Sequence, residues 1–106
     1  MRGLVAIGSV AALLLLAPRA EAAPQKHVVV IDKMKFGPVP GRIQAGDTIV
    51  WINRDMFRHT ATATNGAFNI DLPAGAKGET IVRQAGAISV ICKYHPGMRG
   101  VLKVVK

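Results

Sequence analysis

Cysteine is nearly absent from this chain: among 106 residues there is one, Cys92. A lone cysteine excludes an internal disulfide, the usual staple of small exported domains, and leaves a buried thiol, an intermolecular link or a metal ligand. Acidic residues are scarce as well, 6 against 14 Lys and Arg, for a formal net charge of +8. No paired carboxylates and no Ser/His/Asp order stand out, so neither an acid–base dyad nor a nucleophilic triad is on offer. Aromatics make up only 5%, and the basic residues are scattered singly instead of interleaving with them, which argues against nucleic-acid binding. The positive charge reads mainly as a solvated surface. Its other reading is attraction to an acidic partner.

Long apolar runs are missing too. The longest, Leu4 to Ala17, falls short of the roughly 20 residues that a membrane-crossing helix needs. It follows Met1-Arg2 and precedes Pro18 and the triplet Ala20-Glu21-Ala22. A charged start, an apolar middle and an Ala-x-Ala site are the build of a secretory signal peptide. We therefore expect residues 1–22 to be a cleaved leader, the protein to be exported, and residues 23–106 to form one domain without a stable membrane span. The leader takes Arg2, Arg19 and Glu21 with it, and the remaining domain stays strongly basic.

What that domain does contain is β-branched runs separated by turn residues. Residues 27–36 open with His-Val-Val-Val-Ile and are broken by Gly37-Pro38-Val39-Pro40-Gly41. Arg42–Ala45 is short and extended, Gly46-Asp47 turns, and Thr48–Asn53 is the strongest strand by composition, with Trp51 as its core anchor. Residues 60–64 alternate, Asn65-Gly66 is a tight-turn pair, and Phe68–Leu72 runs to the turn at Pro73-Ala74-Gly75. Residues 79–84, 87–92 and 101–105 complete the series. No helix-period apolar stripe interrupts it. The pattern predicts an all-β sandwich of six to eight short strands.

Chemistry gathers in residues 92–98, which read Cys-Lys-Tyr-His-Pro-Gly-Met at the end of an apolar strand. Taken singly, the cysteine and methionine read as core and each histidine as a surface or satisfied side chain, His27 included. Together, thiolate, imidazole and thioether form a soft donor set that suits copper. A trigonal plane of two His and one Cys with a weak axial Met is an electron-transfer arrangement. The loop lacks one imidazole. His59, just after the TIVWIN strand and its Arg54–Arg58 connection, is the candidate, because loops distant in sequence meet at one end of a sandwich.

The pattern Cys92-x-x-His95-x-x-Met98, then Arg99-Gly100 and a final apolar strand, resembles the plastocyanin-like cupredoxins, and the short loop is most similar to that of the amicyanins. Met34-Lys35-Phe36, residues 45–53 and Asp55 before His59-Thr60 extend the resemblance over nearly all of the domain. It implies a cupredoxin-like Greek-key β-sandwich that holds one copper ion, cycling between Cu(II) and Cu(I). His59, Cys92 and His95 would be its equatorial ligands and Met98 the axial one. It also implies no catalytic residues, a monomer that shuttles single electrons between donor and acceptor proteins, and a periplasmic location. The edge of His95, with Pro96, Gly97, Met56 and Phe57, would form an apolar docking patch, and Lys93, Arg58 and Arg99 a basic rim favouring an acidic partner. The sequence departs from the family at three points. The stretch between His59 and Cys92 looks shorter than in the amicyanins, so one strand or loop of the sandwich is expected to be trimmed. Tyr94 replaces a proline, so its N–H is expected to reach the Cys92 sulfur. Thr60 replaces the usual asparagine, so the tether between the ligand loops is expected to weaken. Two other readings of the same residues are a copper carrier or chaperone of the same fold, disfavoured by the lack of a Met or His cluster, and a metal-free interaction sandwich.

Overall fold

Alternation of side chains across a strand decides this architecture. In the computed structural model, which describes residues 23–39 and 41–106, Thr48–Asn53 (β4) buries every second residue. Ile49, Trp51 and Asn53 point inward while Thr48, Val50 and Ile52 stay half-exposed. The leader expected at residues 1–22 lies outside the described residues. Nine strands form among those described: β1 (Lys26–Asp32), β2 (Lys35–Phe36), β3 (Ile43–Gln44), β4, β5 (His59–Ala63), β6 (Asn69–Leu72), β7 (Lys77–Ile81), β8 (Gly86–Ile91) and β9 (Arg99–Val105). No described helix is long and apolar enough to cross a membrane.

The strands make two sheets, ordered β2-β1-β4-β7 and β3-β9-β8-β5-β6. Two pairings are parallel, β1 with β4 and β3 with β9, and the rest are antiparallel. Val29, Ile31, Ile49 and Trp51 of the first sheet share one core with Ala61, Leu72, Val90, Leu102 and Val104 of the second. Trp51 anchors it as expected, with Phe36 edge-on and Phe68 tilted, both at 5.9 Å between ring centroids. Truncating a fully buried side chain such as Leu72 to Ala would cost about 2–5 kcal/mol.

The strand count exceeds the six to eight expected, and the reason is local. Residues 27–36, read as one strand, divide into β1 and β2 because Lys33 and Met34 both take positive φ, 51° and 62°, and turn the chain back. Neither is glycine, so the left-handed conformation has a local cost of about 1–2 kcal/mol per residue. The site described below shows what holds this turn. The short extended segment read at Arg42–Ala45 is the two-residue β3, paired with β9.

Antiparallel pairing of β5 with β8 has the main functional consequence. Thr62 lies opposite Ile91 and Ala63 opposite Val90, so the start of β5 and the end of β8 occupy the same end of the sandwich. His59 opens β5 and Cys92 follows β8 directly, and this register brings together residues 33 positions apart.

Candidate metal centre

Three loops supply the site. The β8–β9 loop carries Cys92, His95 and Met98; the β4–β5 connection delivers His59; and the β1–β2 turn supports it from behind. Within the first loop, Met98 N–H donates to the His95 carbonyl at 2.9 Å and Cys92 N–H donates to the Met98 carbonyl at 3.3 Å. These closures, with Pro96 and Gly97 at the bend, put three potential ligands on one short loop. Met98 and Cys92 are buried with the core and His95 is half-buried.

His59 Nδ1 lies 3.1 Å from His95 Nδ1, and the Cys92 sulfur lies 3.8 Å from the first and 3.5 Å from the second. A point equidistant from these three atoms is about 2 Å from each, the length of a bond from a first-row metal to nitrogen or sulfur. His59 Nε2–H donates to Asp55 Oδ2 at 2.7 Å. The proton therefore sits on the outer nitrogen, and the Nδ1 lone pair is free to face the other two donors. Among the described residues this is the one cluster of three or more His, Cys, Asp or Glu side chains suited to a metal ion. Two imidazoles, a thiol and the nearby thioether of Met98 make a donor set that fits copper.

The supports of His59 were not read from the sequence. The Asp55 carboxylate also accepts the N–H groups of Lys33 at 2.7 Å and Met34 at 2.9 Å. The positive-φ turn thus forms a small anion cradle, and the anion in it is the one that orients His59. Burial pushes the Asp55 carboxyl up; the bonds from Met34 N–H, His59 and Lys33 N–H outweigh it and hold the group below the usual carboxylate range. Buried Asn53 anchors the same connection. Its amide donates to the carbonyls of Phe57 at 2.8 Å, Leu72 at 2.9 Å and Pro73 at 3.3 Å, and its oxygen accepts Asp55 N–H at 2.9 Å. The available signals were a carboxylate four residues before the histidine and an asparagine closing the strongest strand.

The departure at Tyr94 resolves differently from expectation. Among the described residues the backbone donor to the Cys92 sulfur is Thr60 N–H, at 3.4 Å, and not that of Tyr94. The reason is that β5 itself passes the sulfur. The loop tether expected to weaken with Thr60 is present, because the Thr60 hydroxyl accepts Lys93 N–H at 2.9 Å. His27, at the far end of the sandwich, is satisfied as expected, with Nε2 at 2.8 Å from Asp47 Oδ2.

A two-sheet sandwich whose end loops bring two imidazoles and a cysteine sulfur to one point defines a class, the single-metal β-sandwich proteins. The chain belongs to the cupredoxin-like family: the family described as Cupredoxin-like domain matches residues 5–104. It is 31% identical over 96 residues to amicyanin of Paracoccus denitrificans and 30% identical over 90 residues to amicyanin of Paracoccus versutus. Each match covers 76% of this chain and 66% of the relative, so the chain spans about two thirds of the length of these relatives. A solved Cu(I) form of an amicyanin variant superposes with a TM-score of 0.67 at 27% identity, over 74% of this chain and 81% of its own. A copper-containing nitrite reductase from Thermus scotoductus matches with a TM-score of 0.64 at 25% identity, over 82% of this chain but 23% of that enzyme.

Proposed function

We propose that this protein is an exported mononuclear blue copper protein that passes single electrons between redox partners. His59, Cys92, His95 and Met98 would hold the ion. The observation that carries this reading is the meeting of three donor atoms at sides of 3.1, 3.5 and 3.8 Å, with the proton of His59 drawn to Asp55. A bound copper ion supplies the one-electron Cu(II)/Cu(I) couple. The chain supplies rigidity: Asp55 fixes the ring of His59, Asn53 fixes the connection that carries it, and Thr60 N–H steadies the sulfur. A site held this firmly changes little between two oxidation states, which favours fast transfer.

Four protein ligands leave no open position for a substrate, so the role we assign is carrier and not catalyst. The amicyanin relatives support that role. Export, most simply to a periplasm, follows from the reading of residues 1–22.

The surface around His95 supports docking of a redox partner. Met56 is 88% exposed, Phe57 57% and Tyr94 55%, and the Phe57 ring meets the His95 ring edge-on at 6.4 Å. Exposed Lys33, Arg54 and Lys93 lie on the same loops and exposed Arg99 opens β9, while Arg58 is paired with Asp71 at 3.1 Å. An apolar centre with a basic rim fits a partner whose docking face is acidic.

The test is a visible and electron paramagnetic resonance spectrum after adding Cu(II), with Cys92→Ser alongside. An intense blue thiolate-to-copper band with narrow hyperfine splitting, lost in the variant, is expected. Copper bound without that band would point to a copper carrier, and no copper binding to an interaction domain.

A further inference from the structure

The Thr60 hydroxyl that holds Lys93 N–H is itself held from outside the metal centre. Thr60 and Thr62 are two residues apart on β5 and so lie on one face of the sheet, with their hydroxyl oxygens 2.9 Å apart. Thr62 donates its only hydroxyl hydrogen to Asn69 Oδ1 on β6, at 2.8 Å. Having given that hydrogen away, Thr62 can only accept from Thr60. The Thr60 hydrogen therefore points to Thr62, and the Thr60 lone pairs are left to face Lys93 N–H at 2.9 Å. Lys93 is the residue after Cys92, and Thr60 N–H also touches the Cys92 sulfur.

We infer that Asn69 and Thr62 are positioning residues for the ligand loop, acting through Thr60 on the peptide that follows Cys92. Asn69 is exposed and Thr62 half-buried, and neither belongs to the donor cluster. The three-membered chain of Asn69, Thr62 and Thr60 turns a hydroxyl free to rotate into a fixed acceptor, and each bond polarises the next. Threonine at position 60 can thereby serve as a tether although its hydroxyl is a rotor. The inference rests on the copper reading for its functional consequence, not for its geometry.

The experiment is amide hydrogen exchange at Lys93 by NMR, in metal-free and copper-loaded protein, for wild type, Thr62→Val, Thr62→Ser and Asn69→Ala. Thr62→Val keeps the shape and removes the acceptor, so Lys93 should exchange about tenfold faster, the measure of one weakened hydrogen bond. Thr62→Ser should match wild type, and Asn69→Ala, at an exposed site, should move in the same direction as Thr62→Val without threatening the fold. With copper bound, Thr62→Val and Asn69→Ala should also shift the thiolate-to-copper band and slow electron self-exchange, while Thr64→Val, outside the chain of hydroxyls, should do neither. Lys93 exchange equal to wild type in both Thr62→Val and Asn69→Ala would overturn the inference, even if the wild type is blue. A wild type without the blue band would sink the copper reading instead, and the exchange result in metal-free protein would still decide the positioning role.

Discussion

Replacing Asp55 by Asn leaves the size of the side chain unchanged and removes one of its two acceptor oxygens. The carboxylate serves three donors: Lys33 N–H on Oδ1, and Met34 N–H and His59 Nε2–H on Oδ2. An amide must turn its NH2 toward at least one of them, placing donor against donor in a pocket where the Asp55 side chain is only 9% exposed. A lost bond to a charged acceptor weighs about 1.5–3 kcal/mol, and the amide turned toward Lys33 N–H leaves that donor only Asp32 Oδ1 at 2.9 Å, so Asp55→Asn should destabilise by about 2–3 kcal/mol. For a domain of this size that lowers Tm by roughly 10–25 °C. The assay is thermal and urea unfolding of the metal-free protein at neutral pH, which keeps the metal out of the comparison. Because the carboxylate also offsets the positive φ of Met34, adding Met34→Gly should recover about 1 kcal/mol in the Asp55→Asn background. In copper-loaded protein, loss of the partner that orients His59 should weaken copper affinity by about 10–100-fold. A loss of stability under about 0.5 kcal/mol, or no recovery with Met34→Gly, would refute the reasoning.

At the opposite end of the sandwich, the N–H groups of Gln25 and Gln44, then His27, hold the Asp47 carboxyl down at about 2. A depressed carboxyl stabilises above its unfolded value of about 3.9 and loses that contribution as pH falls through about 2. Wild type should therefore lose about 2 kcal/mol between pH 4 and pH 2 in urea titrations, and Asp47→Asn should lack this component. Gly78→Ala would bring a Cβ within 2.5 Å of Ile70 Cγ2 and 3.5 Å of Leu72 Cδ2, where β7 closes on β6. It should cost about 1–3 kcal/mol by denaturant unfolding, and Ile70→Val should relieve part of that. The Trp51 indole N–H is buried with no hydrogen-bond partner among the described residues. The single tryptophan should emit far to the blue and shift red on unfolding, and a water-like emission from the native protein would contradict this assignment.

The fold was legible where burial alternates. Thr48–Asn53 and residues 87–92 announce themselves because one face of each is apolar and must be covered. The hairpin of β1 and β2 was not legible. Lys33 and Met34 carry no local preference for positive φ, and the carboxylate that holds them comes from Asp55, 22 and 21 residues away. Of the site, Cys92, His95 and Met98 were readable because one loop places them in sequence order, and His59 was readable as the imidazole nearest a sandwich end. The roles of Asp55, Asn53 and Thr60 were hidden because each acts on a group brought to it by strand register.

The sequence by itself determined the class of fold, the donor types and their spacing, since side-chain period and ligand chemistry are properties of the residues alone. Only the tertiary structure decided which imidazole nitrogen faces the metal site, which N–H reaches the sulfur and what holds Thr60 in place. Those outcomes depend on the pairing of β5 with β8 and β6, and a hydrogen bond is made or lost over a few tenths of an ångström that no sequence spacing specifies.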